Sequence, residues 1–599
     1  MNKKYIGSTL ILLTFSLLLY IPLSAQKSAQ VKELKGFNKF IVQQMEEWEV
    51  PGCAVAIVKD GKVIFSEGFG IRNIQKGLKV TPQTLFAIAS CTKAFTATAI
   101  GILADEEKID WDTPVQDYVP TFRLHDPCAT QHMTVRDLLC HRSGLARHDA
   151  MWYGSSYTMK DIFDRIQHLE PNLDFRSAWQ YSNITYSVVG YLIEQITGKP
   201  WEEFVREKIF HPLGMNSSNF SFQETKTFPD FALPYASREG EVKELPFRDL
   251  ANIGPAGSIN SNLIDMTQWL LFNLQKGKSK EQQILSEATL SLIHSPQMVM
   301  PGPVQYDELL HSCYGMGWAI TPYRGHLMVH HGGGIDGFAS YVCLLPRDNI
   351  GLVVLVNLEG SPLVQIVGYN ALDRLLGLNQ APWSERLRDQ MKQYRKMQEK
   401  SQEGALSDRK TGTRPSHPLQ DYAADYEHPG YGVLSIRLEG EQLMANLNGI
   451  ELPLKHYHYD TFEIGDIRYI VPLKGRKLSF FLDKKGDIDK VTVPLEPQVK
   501  DIVFNRVPEK SLKERSFLEK FTGEYEVSGM AFSVVLRGES TLVMTILGQP
   551  EYELIPSKGT EFQVKNLSGF SIRFQLSPEG EVSQAVITMP NGVFAAKKK

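Results

Sequence analysis

The chain has little of what several large function classes need. Its formal net charge is −4, and no basic stripe interleaved with aromatics occurs, so nucleic acid is not an expected partner. Beyond residue 23 no apolar run is long enough to cross a bilayer. Six cysteines are scattered over 599 residues: Cys53, Cys91, Cys128, Cys140, Cys313 and Cys343. Their spacing matches no metal-binding pattern and assigns no disulfide, although an exported chain could oxidise a pair. Mostly buried free thiols are expected, with no metal and no cofactor. No Gly-x-Ser-x-Gly elbow is present, which disfavours an α/β-hydrolase.

What is there is ordinary globular material, 42% hydrophobic and 22% charged, long enough for three or four domains. Lys3 and Lys4 precede an apolar run from Ile6 to Leu23, and Leu23-Ser24-Ala25 offers small residues before Gln26. Residues 1–25 read as a secretory signal peptide. The mature protein is then expected to be periplasmic or secreted, with no membrane span. An uncleaved anchor is the competing reading.

Residues 26–378 form one unit. Leu34, Phe37, Phe40, Ile41 and Met45 recur at helical spacing between Val31 and Trp48. Cys53–Val58 and Lys62–Phe69 flank Asp60-Gly61, a hairpin signal. Helical stretches follow, notably Ile184–Thr197 and Leu263–Leu274, with Gly254-Pro255-Ala256-Gly257-Ser258 as a tight turn between them. Two late apolar runs, Ala339–Leu345 and Gly351–Asn357, precede a helix over Leu363–Leu376. This order predicts an α+β fold: an antiparallel sheet flanked by terminal helices, with an all-helical subdomain inserted. Residues 379–417 turn polar and read as a linker, helix-compatible up to Glu399. Residues 418–507 and 515–599 then repeat one another. Leu419 to Glu427 returns as Leu518 to Glu526, and Asn448-Gly449 as Leu547-Gly548, at an offset of 98 to 99. Each copy offers about eight short alternating strands, so two barrel-like all-β domains are expected.

Three stretches carry chemistry. In Phe86-Ala87-Ile88-Ala89-Ser90-Cys91-Thr92-Lys93 a serine precedes a lysine by three positions at the start of a buried helix, so both lie on one face. Ser407-Asp408-Arg409-Lys410 has the same spacing in the polar linker and shows how weak the pattern is alone. Tyr181-Ser182-Asn183 precedes a helix. His331-Gly332-Gly333-Gly334 opens the late strand pair, and His330 beside it should point to the opposite face. His141 and Ser143 could suggest a second site, but nothing adjacent supplies an acid or base, so they read as a turn beneath the first.

Taken in order, Ser-x-x-Lys, Tyr-x-Asn and His-x-Gly resemble the serine β-lactamase and penicillin-binding-protein superfamily, and within it the class C β-lactamase-like serine hydrolases. Arg136 to Leu145 and Gly254 to Ser258 resemble family stretches as well, and the repeated tail is similar to the lipocalin-like domains found appended to this family. The resemblance implies a nucleophile at Ser90, a proton-handling pair in Lys93 and Tyr181, substrate contacts at Asn183, His331, Gly333 and Gly334, and an oxyanion hole from the backbone of Ser90 and Gly334. Two routes to an activated serine stay open: Lys93 as base with a lowered pKa, or Tyr181 as a phenolate beside a charged Lys93. The second is favoured at this point. Many relatives carry lysine where His331 stands, and a histidine is only partly charged near neutrality. That tilts the expectation from β-lactams towards small peptides, amides or esters, with specificity set by loops near 145–180 and 220–250. The alternative is a penicillin-binding or sensor-like protein that acylates without efficient turnover and uses the repeats to bind ligand. Oligomeric state is not legible.

Overall fold

The computed structural model describes residues 31–238, 240–465, 473–508, 510–527, 529–577 and 580–599. The candidate signal peptide lies outside the described residues. The expected N-terminal helix is divided. A 3-10 turn at Lys32–Leu34 meets Gly36 at φ +79°, and α1 (Phe37–Glu47) starts from there, burying Phe37, Ile41 and Met45. The chain then forms β1 (Gly52–Lys59) and β2 (Lys62–Asn73). Asp60 and Gly61 both take positive φ, as a type I′ hairpin turn requires.

A short strand β3 (Leu78–Lys79) ends this part of the sheet. The next two hundred residues form the insertion. It contains α2 (Thr92–Asp105), α3 (Asn183–Thr197) and α4 (Leu263–Leu274). It is helical apart from small ribbons such as Tyr235–Arg238 with Glu241–Glu244. Every residue of α2 from Thr92 to Leu103 is buried, so this helix is core on all sides rather than amphipathic. The sheet resumes with β4 (Met298–Val299), β5 (Cys313–Tyr314), β6 (Ala319–Tyr323), β7 (His326–Ile335), β8 (Phe338–Leu345) and β9 (Ile350–Val356). The nine strands are ordered β4-β5-β6-β7-β8-β9-β1-β2-β3, with antiparallel pairing throughout.

The central strands β1, β8 and β9 are buried almost end to end, because helices cover both faces. Alternation along β1 sorts its side chains between the two sides. Cys53, Val55 and Ile57 join the cluster with α1 and α5 (Leu363–Leu375), while Ala54, Ala56 and Val58 join the cluster with α2 and α4. The predicted architecture is therefore present. All six cysteines are free, and Cys53, Cys91, Cys140 and Cys343 are buried.

Most of the segment expected as a linker is a 25-residue helix, α6 (Trp383–Ser407), so the helical stretch runs past Glu399. Beyond it stand two closed eight-stranded barrels, Ala424–Arg506 and Gly523–Lys598. The duplication survives in detail: Tyr426 Oη donates to the Tyr422 carbonyl at 3.0 Å and Tyr525 Oη to the Phe521 carbonyl at 2.8 Å. The interiors differ. The first barrel pairs Val491 with Phe504 where the second pairs Ala585 with Ala596, and the second keeps an apolar-lined cavity of about 400 Å³. Among the described residues no helix is long and apolar enough to cross a membrane.

One close approach fixes the insertion. A Cβ on Gly190, in the middle of α3, would stand 2.1 Å from Pro255 Cγ in the 254–257 turn. In an open helix Gly→Ala adds about 0.5–1 kcal/mol. Here the overlap wins, and Gly190→Ala should destabilise by about 1–3 kcal/mol. Thermal unfolding checks this, and an unchanged or raised midpoint would contradict it.

Candidate active site

The site forms where three segments meet. Ser90 lies in a 3-10 turn, Ala89–Cys91, that leads directly into α2. Ala89 holds φ +46°, an unusual conformation for a residue with a Cβ, and such local strain concentrates at functional positions. One turn on, Lys93 is fully buried. Its Nζ donates to Ser90 Oγ at 3.3 Å, to Asn183 Oδ1 at 2.8 Å and to the Ala256 carbonyl at 2.9 Å. Tyr181 Oη donates to Ser90 Oγ at 2.9 Å. Ser90, Lys93, Tyr181 and Asn183, spread over some ninety positions of sequence, are thus one hydrogen-bonded cluster.

Burial sets its electrostatics. Desolvation pulls Lys93 well below the usual amine range; Arg147 adds to this and Asp149 opposes it. Burial likewise raises the Tyr181 phenol above its usual range, against the lowering effects of the Ser90 hydrogen bond and Arg147. Both shifts favour the uncharged forms of the pair. This differs from the phenolate route favoured on sequence. The reason is that a dry pocket penalises the phenolate and the ammonium alike, whereas the sequence reading gave Lys93 its charge.

His141 lies beneath, as expected. It takes φ +63°, accepts from the Ser182 N–H at 3.2 Å, and packs 4.4 Å from the Tyr181 ring. Burial holds its imidazole neutral.

The glycine strand is set against the Ser90 turn. Cys91 Sγ donates to the His331 carbonyl at 3.3 Å, and Ser340 Oγ on β8 donates to the Ile88 carbonyl at 2.7 Å. The strand's residues divide. Gly334 lines the cleft. Gly333 faces the turn: a Cβ there would stand 2.2 Å from the Ile88 carbonyl oxygen and from Ser340 Oγ. His331 is 7% exposed and engaged within the protein, with Nε2 2.9 Å from Tyr314 Oη and Nδ1 2.7 Å from the Gly332 carbonyl. Burial, with Lys93 nearby, brings its pKa down to about 3. It is neutral at pH 7, where the sequence reading expected partial charge and a substrate contact. His330 points to the other face and meets Thr321 Oγ1 at 3.0 Å.

The cleft over Ser90 holds about 350 Å³. One wall comes from residues 147–153, inside the first loop expected to set specificity, and brings Arg147, Asp149, Trp152 and Tyr153 into the cleft. Sequence reasoning did not single these out individually. Asp149 is the centre of the wall: Oδ2 accepts from Arg147 Nε at 2.7 Å, and Oδ1 from Trp152 Nε1 at 2.9 Å and Asn183 Nδ2 at 3.1 Å. The opposite end is built on Asp336, which accepts from Tyr153 Oη at 2.7 Å and Arg248 Nε at 2.8 Å. Among the described residues no group of three or more His, Cys, Asp or Glu could hold a metal ion.

Comparison with known proteins agrees with this geometry. Residues 37–375 match the beta-lactamase family, and residues 408–506 match a domain of unknown function, DUF3471. An unguisins hydrolase of Aspergillus campestris is 30% identical over 435 residues, covering 68% of this chain and 78% of that protein. Protein flp of Staphylococcus aureus is 29% identical over 342 residues, 55% of this chain and 64% of its own length. The solved structure of an octameric penicillin-binding protein homologue from Pyrococcus abyssi shares the fold, with a TM-score of 0.52 at 24% identity, covering 79% of this chain and 99% of that one.

The two glycines give a paired test. Gly333→Ala should lower the thermal midpoint and weaken the site, because the neighbours of its Cβ are a backbone carbonyl and a buried hydroxyl. Gly334→Ala, with nothing within 4 Å of its Cβ, should leave the midpoint within a degree or so. Equal midpoints for the two variants would contradict the division of roles.

Proposed function

The chain belongs to the beta-lactamase family and is a serine hydrolase, and we propose that it works through an acyl-Ser90 intermediate on small peptide, amide or ester substrates. The observation that carries this is the shared hydrogen bonding of Ser90 Oγ with Lys93 Nζ and Tyr181 Oη. In this reading Lys93, once neutral, turns its free pair to the Ser90 hydroxyl in place of the present Nζ-to-Oγ donation and takes that proton as Oγ attacks the acyl carbon. The Ser90 and Gly334 backbone N–H groups then hold the oxyanion, each such donor being worth about 3–4 kcal/mol in comparable enzymes. Tyr181 gives its proton to the departing nitrogen or oxygen and is resupplied by the Lys93 ammonium. Water reverses these steps to release the acid.

The charge of the cleft supports a substrate without a carboxylate at the scissile end. Arg147, the one cation lining it among the described residues, is already paired with Asp149, and His331 is neutral and turned inward. D-amino-acid amides and simple esters suit this environment better than free-acid peptides or β-lactams. A full set of proton-handling groups favours turnover over a sensor that stops at the adduct. Export to the periplasm or medium rests on the character of residues 1–25 alone.

Ser90→Ala should abolish turnover and covalent labelling by a fluorophosphonate, and Tyr181→Phe should slow turnover by about 10²–10⁴-fold. In a panel of D-amino-acid amides, p-nitrophenyl esters, free-acid dipeptides and a chromogenic β-lactam, the first two should be turned over fastest. Labelling that persists in Ser90→Ala would remove the assignment. A stable adduct without turnover on every substrate would favour the sensor.

A further inference from the structure

The first barrel does not merely follow the hydrolase domain. It holds the wall of the cleft. Several of its contacts fall on residues 148–157, the stretch that carries Asp149, Trp152 and Tyr153. Glu496 Oε2 accepts the His148 backbone N–H at 2.9 Å, and Tyr431 Oη lies 2.7 Å from His148 Nδ1, both within buried surroundings. Asn448, at a hairpin tip, donates from Nδ2 to the carbonyls of Ala150 at 2.9 Å and Met151 at 3.1 Å. Gly154 admits this tip, since a Cβ there would stand 2.8 Å from the Asn448 carbonyl. His148 itself is 1% exposed and held at φ +48°, a backbone conformation that needs its surroundings to maintain it.

From this segment the contacts lead to the reacting groups without a break. Asp149, next in the chain to His148, accepts from Asn183 Nδ2, and Asn183 Oδ1 accepts from Lys93 Nζ. Lys93 Nζ in turn meets Ser90 Oγ. The two repeats differ at this hairpin tip. At the position of Asn448 the second barrel has Leu547, fully exposed at its own hairpin tip.

We propose that the first β-barrel is a positioning domain of the active site, in which Tyr431, Asn448 and Glu496 hold the 147–153 wall so that Asp149 keeps Asn183 against Lys93. This gives the stretch that matches a domain of unknown function a role in the reaction, and it rests on the reading of Ser90 as the acylated residue. Loosening the wall slows acylation by moving Asn183, and it admits water to Lys93. The charged and titratable groups facing Lys93 are Arg147, Asp149, Cys91, Tyr181, Tyr186, His141 and His331. Burial is the largest influence on its amine, so hydration moves the pH midpoint of acylation up, towards the ordinary lysine value.

The test is the rate of fluorophosphonate labelling at Ser90 against pH in the full-length protein. Tyr431→Phe and Glu496→Ala should each slow labelling about ten- to hundredfold and raise the pH midpoint. Glu496→Gln, which keeps an acceptor for the His148 N–H, should restore most of the rate. Arg165→Ala removes another barrel contact, the 2.8 Å bond to the Pro429 carbonyl, away from Asp149, and should label at the wild-type rate and midpoint. Wild-type behaviour of Tyr431→Phe and Glu496→Ala, or equal slowing in Arg165→Ala, would overturn the positioning role and leave the Ser90 reading intact. An unlabelled wild type would overturn both.

Discussion

A lysine amine cut off from water must be surrounded by acceptors, lose its proton, or both. Lys93 has its acceptors, and burial favours loss of the proton; much of the first domain is arranged around that requirement. The Asn183 side chain and the Ala256 carbonyl receive its hydrogens. They come from α3 and from the 254–257 turn, so both must press against α2. Gly190 permits that approach, and the continuous burial of α2 shuts out solvent. The Ser90 turn and the glycine strand close the remaining side, where Gly333 lets β7 lie on the Ile88 carbonyl. The pocket that lowers the amine also raises the phenol of Tyr181. One dry cavity thereby disfavours the charged form of both groups.

The duplicated tail shows one architecture with two different interiors and hairpin tips. The first barrel fills its interior with Val491 and Phe504 and turns its hairpin tips to the hydrolase domain, where Asn448 and Tyr431 bind the cleft wall. The second has alanines at the paired positions, an apolar cavity, and a fully exposed leucine at the equivalent tip. The residues that dock are polar groups matched to backbone atoms of 148–151 and to the His148 ring. Side-chain chemistry at the tips, rather than the barrel fold, decides which copy touches the site.

Much of this was legible in the sequence because it depends on periodicity and local turn chemistry. The hairpin at Asp60-Gly61, the sheet with its terminal helices and the eight strands of each repeat all fall in this class. Ser90, Lys93, Tyr181 and Asn183 stood out through ordered motifs, and they converge. What could not be read is whatever depends on burial across distant segments. His331 looked like a half-charged substrate contact, but Tyr314, from β5 two strands away in the sheet, occupies its second nitrogen. Gly333 and Gly334 are adjacent in sequence and separate in role, because pleating sends one to the turn and leaves the other at the cleft. Arg147 and Asp149 belong to no motif, and their significance appears only when Asn183 is brought beside them. The assignment of charge between Lys93 and Tyr181 likewise needs the fold, since it is set by desolvation and not by spacing.

The central claim is that a neutral, desolvated Lys93 activates Ser90. The pH dependence of the wild-type acylation rate tests it most directly. As pH rises through the lowered pKa of Lys93 the amine gains its free pair, so the rate should climb and then level off. The predicted midpoint lies well below the ordinary lysine value of 10.5, with a plateau that persists past pH 10, where Tyr181 still holds its proton. A rate that keeps rising to a midpoint at or above pH 10 would contradict the account, since the activating group would then be a phenolate or an unperturbed amine.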